Sequence, residues 1–454
     1  MTAPKRTTWD VVVVGAGPSG TLAAERLGEL GHRVLLLDAG PRLRRGEPVP
    51  EADRRAWAWR TVGLPADWYR VRAVGGRALL WGGWSHRFTD HGLRRGGWPY
   101  GARALGRYYA EVERRIGVRE GALDPRYEAL GRALDLRVVP KRGALPPGGR
   151  LWTPLRHRAA RRAQTLSVAL RLEHAAGRGV ALEVLDLNTG ATGRLAARAF
   201  VLAMSPVETA RVLLRSELGA RGRGVGRGLV DHMVASYLLL EPAPPRSARG
   251  RGPFPGDALV ESFVNDAEGT ERPYPGGFSV ELRGPSRLDA LGVERMVPGD
   301  DVERYGATLL HALGEVAPHP RRFVDLDPAE RDAFGRPAPR VRLAWGRTDR
   351  LLAADLKRAC VRIADALAVP GSRLVPFRDP LLFGGGHEAG TCAMGRDERA
   401  PCDPSGGLRA LRNVWVADAS AMPSAGDRHP TLTLLAHALR AADAVARALA
   451  RAAP

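Results

Sequence analysis

A histidine close to the C-terminal end of the chain lies in a glycine-rich segment, "GGGHEAGTCAMG", that begins at Gly384. His387 has glycines on both sides, and a second histidine, His429, stands directly before Pro430. A neutral imidazole suits proton transfer because its pKa lies near working pH. Together the two histidines are candidate acid–base groups, whereas either one alone would more simply be a packed or surface residue.

Sequence signatures of several other reaction types are missing. No two histidines stand four residues apart with an acid between them, so we predict no metal site. Cys360, Cys392 and Cys402 are too few for a disulfide framework, and the last two lack the spacing of a zinc ribbon. The absence of a G-x-S-x-G nucleophile elbow argues against a serine hydrolase.

The elements that would position this chemistry begin near the N-terminal end, with "DVVVVGAGPSGTLAAERLGELGHRVLLLDAG". The pattern predicts a buried parallel strand, a glycine turn, a helix and a second strand that ends in an acid. Gly15 permits the tight turn, Gly17 lets the backbone approach a pyrophosphate, and Gly20 allows close helix–strand packing. Asp38 would bind ribose hydroxyl groups, but this fingerprint does not separate NAD from FAD.

A second β-pattern follows in "VALEVLDLNTGATGRLAARAFVLA". It predicts a hairpin that turns at Asn188 to Gly190, with a helix after it in "MSPVETARVLLRSELG". This arrangement resembles flavoproteins in which a hairpin leaves and rejoins the cofactor sheet. The alternative is an ordinary strand and helix.

Five blocks, in order along the chain, resemble the glucose-methanol-choline (GMC) oxidoreductase family, and in particular its bacterial sugar- and glycoside-oxidising and gluconate-dehydrogenase-like members. The first block is the N-terminal fingerprint. The others are "VGGRALLWGGWSHRF" with "WPYGARALGRYYAEVERRIGV", "VLAMSPVETARVLLRS" with "VGRGLVDHM", "HEAGTCAMG", and "NVWVADASAMPSAGDRHPTLTLLAHALRAADAV". The stretch from residue 242 to residue 377 resembles the family only faintly.

The resemblance implies FAD as the cofactor. Glycines in the loop after residue 74 would let the backbone approach the isoalloxazine ring. The C-terminal helix that starts after Pro430 would direct its positive N-terminus toward the same ring. Some relatives attach the flavin through a histidine, but Leu80 occupies the matching position, so we expect noncovalent FAD. The residues expected at the cofactor are Gly15, Gly17, Gly20, Asp38, Gly75, Gly76, Asp418, Ala419 and Pro430.

The resemblance also assigns roles to the two histidines. His387 heads the family's "HxxGT" motif and would take the hydroxyl proton as base, while the substrate's hydride passes to flavin N5. His429 would orient the hydroxyl group, although adjacent imidazoles share proton affinity and either can carry the charge. Oxygen or another acceptor would then reoxidise the flavin.

Neighbouring residues receive simpler interpretations. Glu388 is expected to face solvent, because adjacent side chains usually point apart. Other histidines are expected to be structural, with the one that follows the flavin loop, His86, as the leading exception; the set is His32, His86, His91, His232 and His437. Six tryptophans surround that loop, with core packing as their default role and stacking on a sugar ring as the alternative. They are Trp57, Trp59, Trp68, Trp81, Trp84 and Trp98.

We therefore expect an FAD-dependent alcohol oxidase or dehydrogenase that converts a polyhydroxylated or sugar-like alcohol to a ketone or aldehyde. One alternative is a lyase of the same fold that keeps FAD as a structural group. Another, from a different class, is a basic binding protein without catalytic activity.

The expected α/β fold has a discontinuous Rossmann-like FAD-binding domain and a substrate domain built on an antiparallel sheet flanked by helices. The FAD-binding domain would comprise residues 1–45, 70–100, 165–235 and 385–454. Lid and connecting segments would occupy residues 46–69 and 101–164, and residues 236–384 would form the substrate domain.

Basic side chains outnumber acidic ones by 69 to 49. Nearly all are scattered arginines, which favours a compositional bias over a nucleic-acid surface, so we expect no nucleic-acid partner. No stretch approaches the roughly 18 uncharged apolar residues that span a bilayer, and the apolar run after Asp10 lacks a cleavage-site pattern. We expect a cytoplasmic protein whose partners are an alcohol and an electron acceptor, with its oligomeric state left open.

Overall fold

The computed structural model describes residues 9–44, 47–49, 59–66, 68–219, 224–242, 254, 256–263, 272–291 and 304–452. Its strands are β1 (Trp9–Val14), β2 (Val34–Leu37), β3 (Arg60–Gly63), β4 (Val118–Glu120), β5 (Val138–Pro140), β6 (Arg142–Ala144), β7 (Ser167–Ala175), β8 (Arg178–Asp186), β9 (Thr192–Leu202), β10 (His232–Pro242), β11 (Asp257–Phe263), β12 (Phe278–Arg287), β13 (Tyr305–Glu315), β14 (Phe323–Arg331), β15 (Pro337–Leu343), β16 (Arg373–Arg378) and β17 (Val414–Val416). Its α-helices are α1 (Pro18–Glu29), α2 (Asp90–Arg95), α3 (Ala102–Ile116), α4 (Pro125–Leu134), α5 (Arg158–Arg161), α6 (Pro206–Arg215), α7 (Leu288–Leu291), α8 (Arg347–Leu367) and α9 (Thr431–Arg451).

The first sheet has the strand order β2-β1-β9-β8-β7, with β17 also paired to β9. β1 is parallel to β2 and β9, and β17 is parallel to β9. β1 is a run of valines because a parallel strand covered on both faces has no solvent-facing side, and residues 11–14 are accordingly buried. The first half of β9 pairs antiparallel with β8 and its second half pairs with β1. The Rossmann-like α/β fold is thus confirmed, as is the hairpin that leaves and rejoins the sheet.

The second sheet has the order β16-β10-β13-β12-β11-β5, and all of its pairs are antiparallel. Two adjacent inner strands, β10 and β13, pair from His232 opposite Glu315 to Pro242 opposite Tyr305. Helix α8 packs on these two strands through its buried apolar face. Smaller sheets are formed by β14, β15 and β3, and by β4 and β6. The assignment of chain segments to FAD-binding, lid and substrate domains stays a prediction.

Helix α9 joins the last part of the chain to the first. It packs against α1 and α3, and its alanines Ala438, Ala441 and Ala442 are fully buried because small side chains let helices approach closely. Nε of Arg26 on α1 donates to Oδ1 of Asp443 on α9 at 2.8 Å. The middle of α9 is thereby held beside the N-terminal β1-α1-β2 unit.

Among the helices in the described part of the chain, none has both the length and the apolar character that crossing a membrane requires.

Candidate active site

A cleft opens at the carboxyl ends of β1, β2 and β9. This is the edge at which ligands bind in open parallel α/β sheets. Gly20 and Gly75 do not line the cleft, whereas His387 does. The other cofactor residues predicted from the sequence all line it: Gly15, Gly17, Asp38, Gly76, Asp418, Ala419 and Pro430.

The glycines of the first turn have different physical reasons to be glycine. A Cβ on Gly15, whose φ is +103°, would lie 2.4 Å from the Ala203 carbonyl oxygen, and a Cβ on Gly20 would lie 1.9 Å from the carbonyl oxygen of Gly15. A Cβ on Gly17 would meet no protein atom within 4 Å and would enter the cleft instead. Gly15 and Gly20 are thus required by the fold, while Gly17 leaves room for a bound group.

Asp38, at the end of β2, holds the glycine turn in place. Its Oδ2 accepts from the amide of Ala16 and its Oδ1 from the amide of Gly40, both at 2.8 Å. Burial raises the pKa of Asp38, although these two amides oppose the effect. Each carboxylate oxygen keeps a further lone pair for a ribose hydroxyl group, so the predicted contact is chemically possible and stays a prediction.

Asp418 follows β17 and ties its own segment to the start of α6. Its carboxylate accepts from the amide of Ser205 at 2.9 Å, the hydroxyl group of Thr209 at 2.6 Å and the amide of Ser420 at 2.8 Å. Ser205 has a φ of +83°, a conformation that L-residues seldom adopt and that surrounding bonds must maintain. The Asp418 carboxylate therefore stabilises the conformation of Ser205, a residue that lines the cleft.

Helix α9 begins at Thr431 with Pro430 at its N-cap, and no side chain caps its first amides. Pro430, Thr431 and Leu434 line the cleft, so these N–H groups and the positive end of the helix lie at its wall. With the glycine turn and the open space at Gly17, the wall offers backbone donors and close approach to an anionic group. The residues present fit a dinucleotide such as FAD.

The two histidines predicted from the sequence are in contact. Nε2 of His387 lies 3.1 Å from Nδ1 of His429, and the ring planes meet at 83°. The rings come from segments 42 residues apart.

Glycines around His387 are needed for close packing. A Cβ on Gly385 would lie 2.7 Å from the carbonyl oxygen of His232, and a Cβ on Gly390, at a φ of +91°, would lie 2.1 Å from that of Gly228. The backbone of Ala389 forms an antiparallel bridge with Val230. The glycine-rich segment therefore lies directly on the chain that leads into β10.

His232 is a functional candidate that the sequence did not single out. It was expected to be structural, yet its Nδ1 lies 2.7 Å from Nδ1 of His387, and its Nε2 lies 2.7 Å from the carbonyl oxygen of Gly426. The ring is fully buried. The available signal was its position in "VGRGLVDHM", one of the blocks that resemble the GMC family.

Burial keeps His387 and His232 neutral. It lowers the pKa of His387 well below its ordinary value, and the nearby His429, His232 and Arg77 lower it further. Burial also lowers the pKa of His232 to about 4. At neutral pH His387 therefore has one unprotonated ring nitrogen, as a general base requires.

His429 is held from two sides. Its Nε2 contacts Oε1 of Glu281, which is fully buried. Burial alone would raise the pKa of Glu281, but His429 and Arg283 lower it below its ordinary value. The Trp84 ring stacks on His429, with 5.9 Å between ring centroids and 14° between planes.

The expectation that Glu388 faces solvent is wrong. Its side chain is fully buried and pairs with Arg70 at 2.7 Å and Arg77 at 2.6 Å. Burial alone would raise the pKa of Glu388, but the two guanidinium groups lower it to about 2. Arg77 also donates to the carbonyl oxygen of Gly386 at 2.5 Å. These ion pairs anchor the His387 segment, and Glu388, Arg70 and Arg77 all line the cleft.

The remaining singled-out side chains are mostly packed. His86 is buried and its Nε2 accepts from the amide of Arg142 at 3.1 Å. Trp57 lies outside the described residues. Trp68, Trp84 and Trp98 are buried, in line with core packing, and Trp59 stacks on Trp68. Trp81 lines the cleft.

Comparisons with known proteins agree with this geometry. A family model described as GMC oxidoreductase matches residues 318–438, and one described as an NAD(P)-binding Rossmann-like domain matches residues 13–46. The chain is 30% identical to paromamine 6'-oxidase of Streptomyces fradiae, over 96% of this chain and 91% of that protein. It is 28% identical to 6'''-hydroxyparomomycin C oxidase of Streptomyces lividus, over 97% of this chain and 92% of that protein.

Solved structures show the same fold. The crystal structure of pyridoxine 4-oxidase from Mesorbium loti superposes with a TM-score of 0.70 at 20% identity, over 96% of this chain and 99% of that chain. Fold, cleft and relatives together define an FAD-dependent oxidoreductase that acts on CH–OH groups. The chain belongs to the GMC oxidoreductase family.

Proposed function

We propose that the chain oxidises one hydroxyl group of a polyhydroxylated, sugar-like alcohol to a ketone or aldehyde, with His387 as the base. The observation that carries this proposal is the contact between Nε2 of His387 and Nδ1 of His429, 3.1 Å apart, beside a cleft that fits a dinucleotide. The two Streptomyces oxidases support a sugar-like substrate. Trp81, at the cleft, offers an aromatic face of the kind that stacks on sugar rings.

FAD, when bound, supplies the acceptor for the hydride that leaves the carbinol carbon. Nε2 of His387 takes the hydroxyl proton as the O–H and C–H bonds break and the C=O bond forms. Nδ1 of His429, 3.1 Å from this nitrogen, orients the hydroxyl oxygen, while Glu281 and Trp84 fix its ring. A preoriented base converts proton transfer into a step within the complex, which lowers its entropic cost.

We infer that FAD is held noncovalently. The loop from Val74 to Trp84 contains no histidine, cysteine or tyrosine, and Leu80 has no nucleophilic atom. Acid precipitation should therefore release the yellow colour into the supernatant, and colour that stays with the pellet contradicts the inference. We place the enzyme in the cytoplasm, where its free cysteines Cys360, Cys392 and Cys402 suit a reducing environment.

Anaerobic mixing of the holoenzyme with aminoglycosides, hexoses, glycosides and simple alcohols tests the function. Loss of flavin absorbance identifies substrates, and readmitting oxygen or adding an artificial acceptor distinguishes the two routes of reoxidation. Product without loss of absorbance would instead indicate a lyase that keeps FAD as a structural group.

Replacing the base gives the sharper result. His387→Ala should slow flavin reduction by about 10²- to 10⁴-fold, the usual contribution of a general base, while flavin content stays that of the parent. The matched control is His32→Ala, on the turn after α1 and outside the cleft lining. If His387→Ala reduces its flavin as fast as the control, His387 is not the base.

A further inference from the structure

His232 is the first residue of β10, and its ring lies between His387 and the loop that precedes α9. We propose that His232 is a positioning residue that fixes His387 in the tautomer with a protonated Nδ1 and an unprotonated Nε2. The inference rests on the proposed function of His387. Its basis is a chain of two short contacts, each 2.7 Å, from the carbonyl oxygen of Gly426 through His232 to His387.

The carbonyl group at one end of this chain determines the direction of every hydrogen bond in it. A carbonyl oxygen only accepts, so Nε2 of His232 must carry the proton that points at Gly426. A neutral imidazole has a single N–H, which leaves Nδ1 of His232 as an acceptor. His387 must then donate from its own Nδ1. Its Nε2 is left unprotonated, and the lone pair of this atom faces Nδ1 of His429 at 3.1 Å.

Asp231 fixes the relative positions of the two rings. Its Oδ1 accepts from the backbone amides of both His232 and His387, each at 2.8 Å. Its Oδ2 accepts from Nε1 of the buried Trp68 at 2.6 Å. The Val230–Ala389 bridge continues the attachment along the backbone. Backbone and ring of His387 are therefore both tied to the Asp231–His232 dipeptide, which leaves the ring little freedom to rotate.

The contact also becomes stronger during the reaction. When Nε2 of His387 takes the substrate proton, the ring becomes a cation, and its Nδ1–H bond to His232 changes from a neutral to a charge-assisted hydrogen bond. An interaction that strengthens along the reaction accelerates it, whereas one that is equal throughout does not.

The charged and titratable groups around His387 are His232 and His311 from the second sheet, Arg77 from the loop at the cleft, Asp231 and His429.

Two amide substitutions at this position separate the proposal from a merely structural role. In His232→Asn the side-chain oxygen can occupy the place of Nδ1 and still accept from His387. In His232→Gln the amide reaches the place of Nε2, which keeps a donor for Gly426 but removes the acceptor for His387. We expect His232→Gln to lower kcat on the order of 10- to 100-fold, the range seen when an orienting partner is lost, with KM within about twofold because substrate contacts remain. His232→Asn should be at least about tenfold faster than His232→Gln.

Nitrogen NMR of the holoenzyme labelled with ¹⁵N-histidine reads the tautomer directly, with the His387→Gln spectrum used to assign the His387 signals. The parent should show a protonated Nδ1 and a bare Nε2 at His387, and His232→Gln should show a mixture of the two tautomers. A parent protein protonated at Nε2 of His387 overturns the proposal, as do equal kcat losses in the two variants with the tautomer unchanged. The spectrum of the parent needs no variant to fold. Failure of every alcohol to bleach the flavin would sink the proposed function and leave this spectrum as an independent result.

Discussion

Two buried glutamates near the histidine pair have pKa values shifted in opposite directions. Glu281 stays ionised because His429 and Arg283 lower its pKa. Glu315, at the end of β13, accepts from the hydroxyl group of Ser424, and burial raises its pKa to about 7. Environments that push the pKa values of like groups apart are how a single site holds both a permanent charge and a neutral acid.

Glu315 predicts a specific pH dependence of stability. Its folded-state pKa of about 7 exceeds its ordinary value of 4.5, so the folded protein binds more protons than the unfolded chain in that window. The free energy of unfolding should then decrease as pH rises from about 4.5 to above 7, by up to about 3 kcal/mol in total. Glu315→Gln mimics the neutral acid and does not titrate. The thermal midpoint of the variant minus that of the parent should therefore increase from pH 5 to pH 8.

Glu398→Gln, at an exposed position, is the control for that measurement. It should shift the midpoint by the same small amount at both pH values. A Glu315→Gln midpoint that moves in parallel with the parent from pH 5 to pH 8 would show that Glu315 does not titrate in this window.

At the residue scale, sequence motifs gave part of the site. His387 and His429 each stand in a motif, and the structure brings their rings into contact. His232 could not be found in this way, because its contact with His387 joins residues 155 positions apart and depends on where β10 begins. Glu388 was misjudged because no local pattern shows that Arg70 and Arg77, more than 300 residues away, lie beneath it.

Helix α1 illustrates how an element serves the cleft without touching a substrate. It begins immediately after Gly17, and its third residue, Gly20, packs against the carbonyl group of Gly15. The close approach sets the distance between helix and turn, and through it the position of the backbone donors at the cleft.

Two glycines of α1 give a matched pair of substitutions. Gly20→Ala should lower the thermal midpoint and the flavin content of the purified protein, because its Cβ would lie 1.9 Å from a backbone oxygen. Gly28→Ala meets nothing within 4 Å, and should stabilise the helix by up to about 1 kcal/mol since alanine is the better helix former. Calorimetry and the ratio of absorbance at 450 nm to that at 280 nm measure both effects. Equal behaviour of the two variants would contradict this account of Gly20.

Elements with strong periodic patterns were predictable, and weakly patterned ones were not. The β1-α1-β2 unit and the β8–β9 hairpin carry clear local patterns and are present. The three-residue strand β17 joins the first sheet through pairing with β9. β5, within a segment expected to be connecting, lies at the edge of the second sheet. Such short strands are specified by the partner that receives them, which local sequence does not reveal.

The whole molecule assembles one cleft from distant parts of the chain. The glycine turn comes from the first twenty residues, Met204 and Ser205 from the middle, and Pro430 and Leu434 from the last helix. A group that contacts all three parts stabilises the folded state by mass action, by about 4 kcal/mol at a concentration one thousand times its Kd.

Cofactor removal should therefore lower the stability of the whole folded molecule. Protein stripped of FAD by mild acid and salt should unfold at a temperature several degrees lower than the holoenzyme, and added FAD should restore the midpoint in proportion to the logarithm of its concentration. Riboflavin, which lacks the pyrophosphate and adenosine, serves as the control and should restore far less. An apoprotein with the same midpoint as the holoenzyme would show that FAD does not bridge these segments.

The Asp418 carboxylate, bonded to Ser205 and Thr209, has a consequence for biosynthesis. While the ribosome is still translating, a nascent polypeptide that has emerged only as far as α6 has its glycine turn but lacks the group that maintains Ser205 in its unusual conformation. Translation must proceed beyond Leu434 before His387 has its second imidazole neighbour and the cleft its helix end. Competence to bind the cofactor is therefore acquired late in synthesis, after most of the chain has already left the exit tunnel.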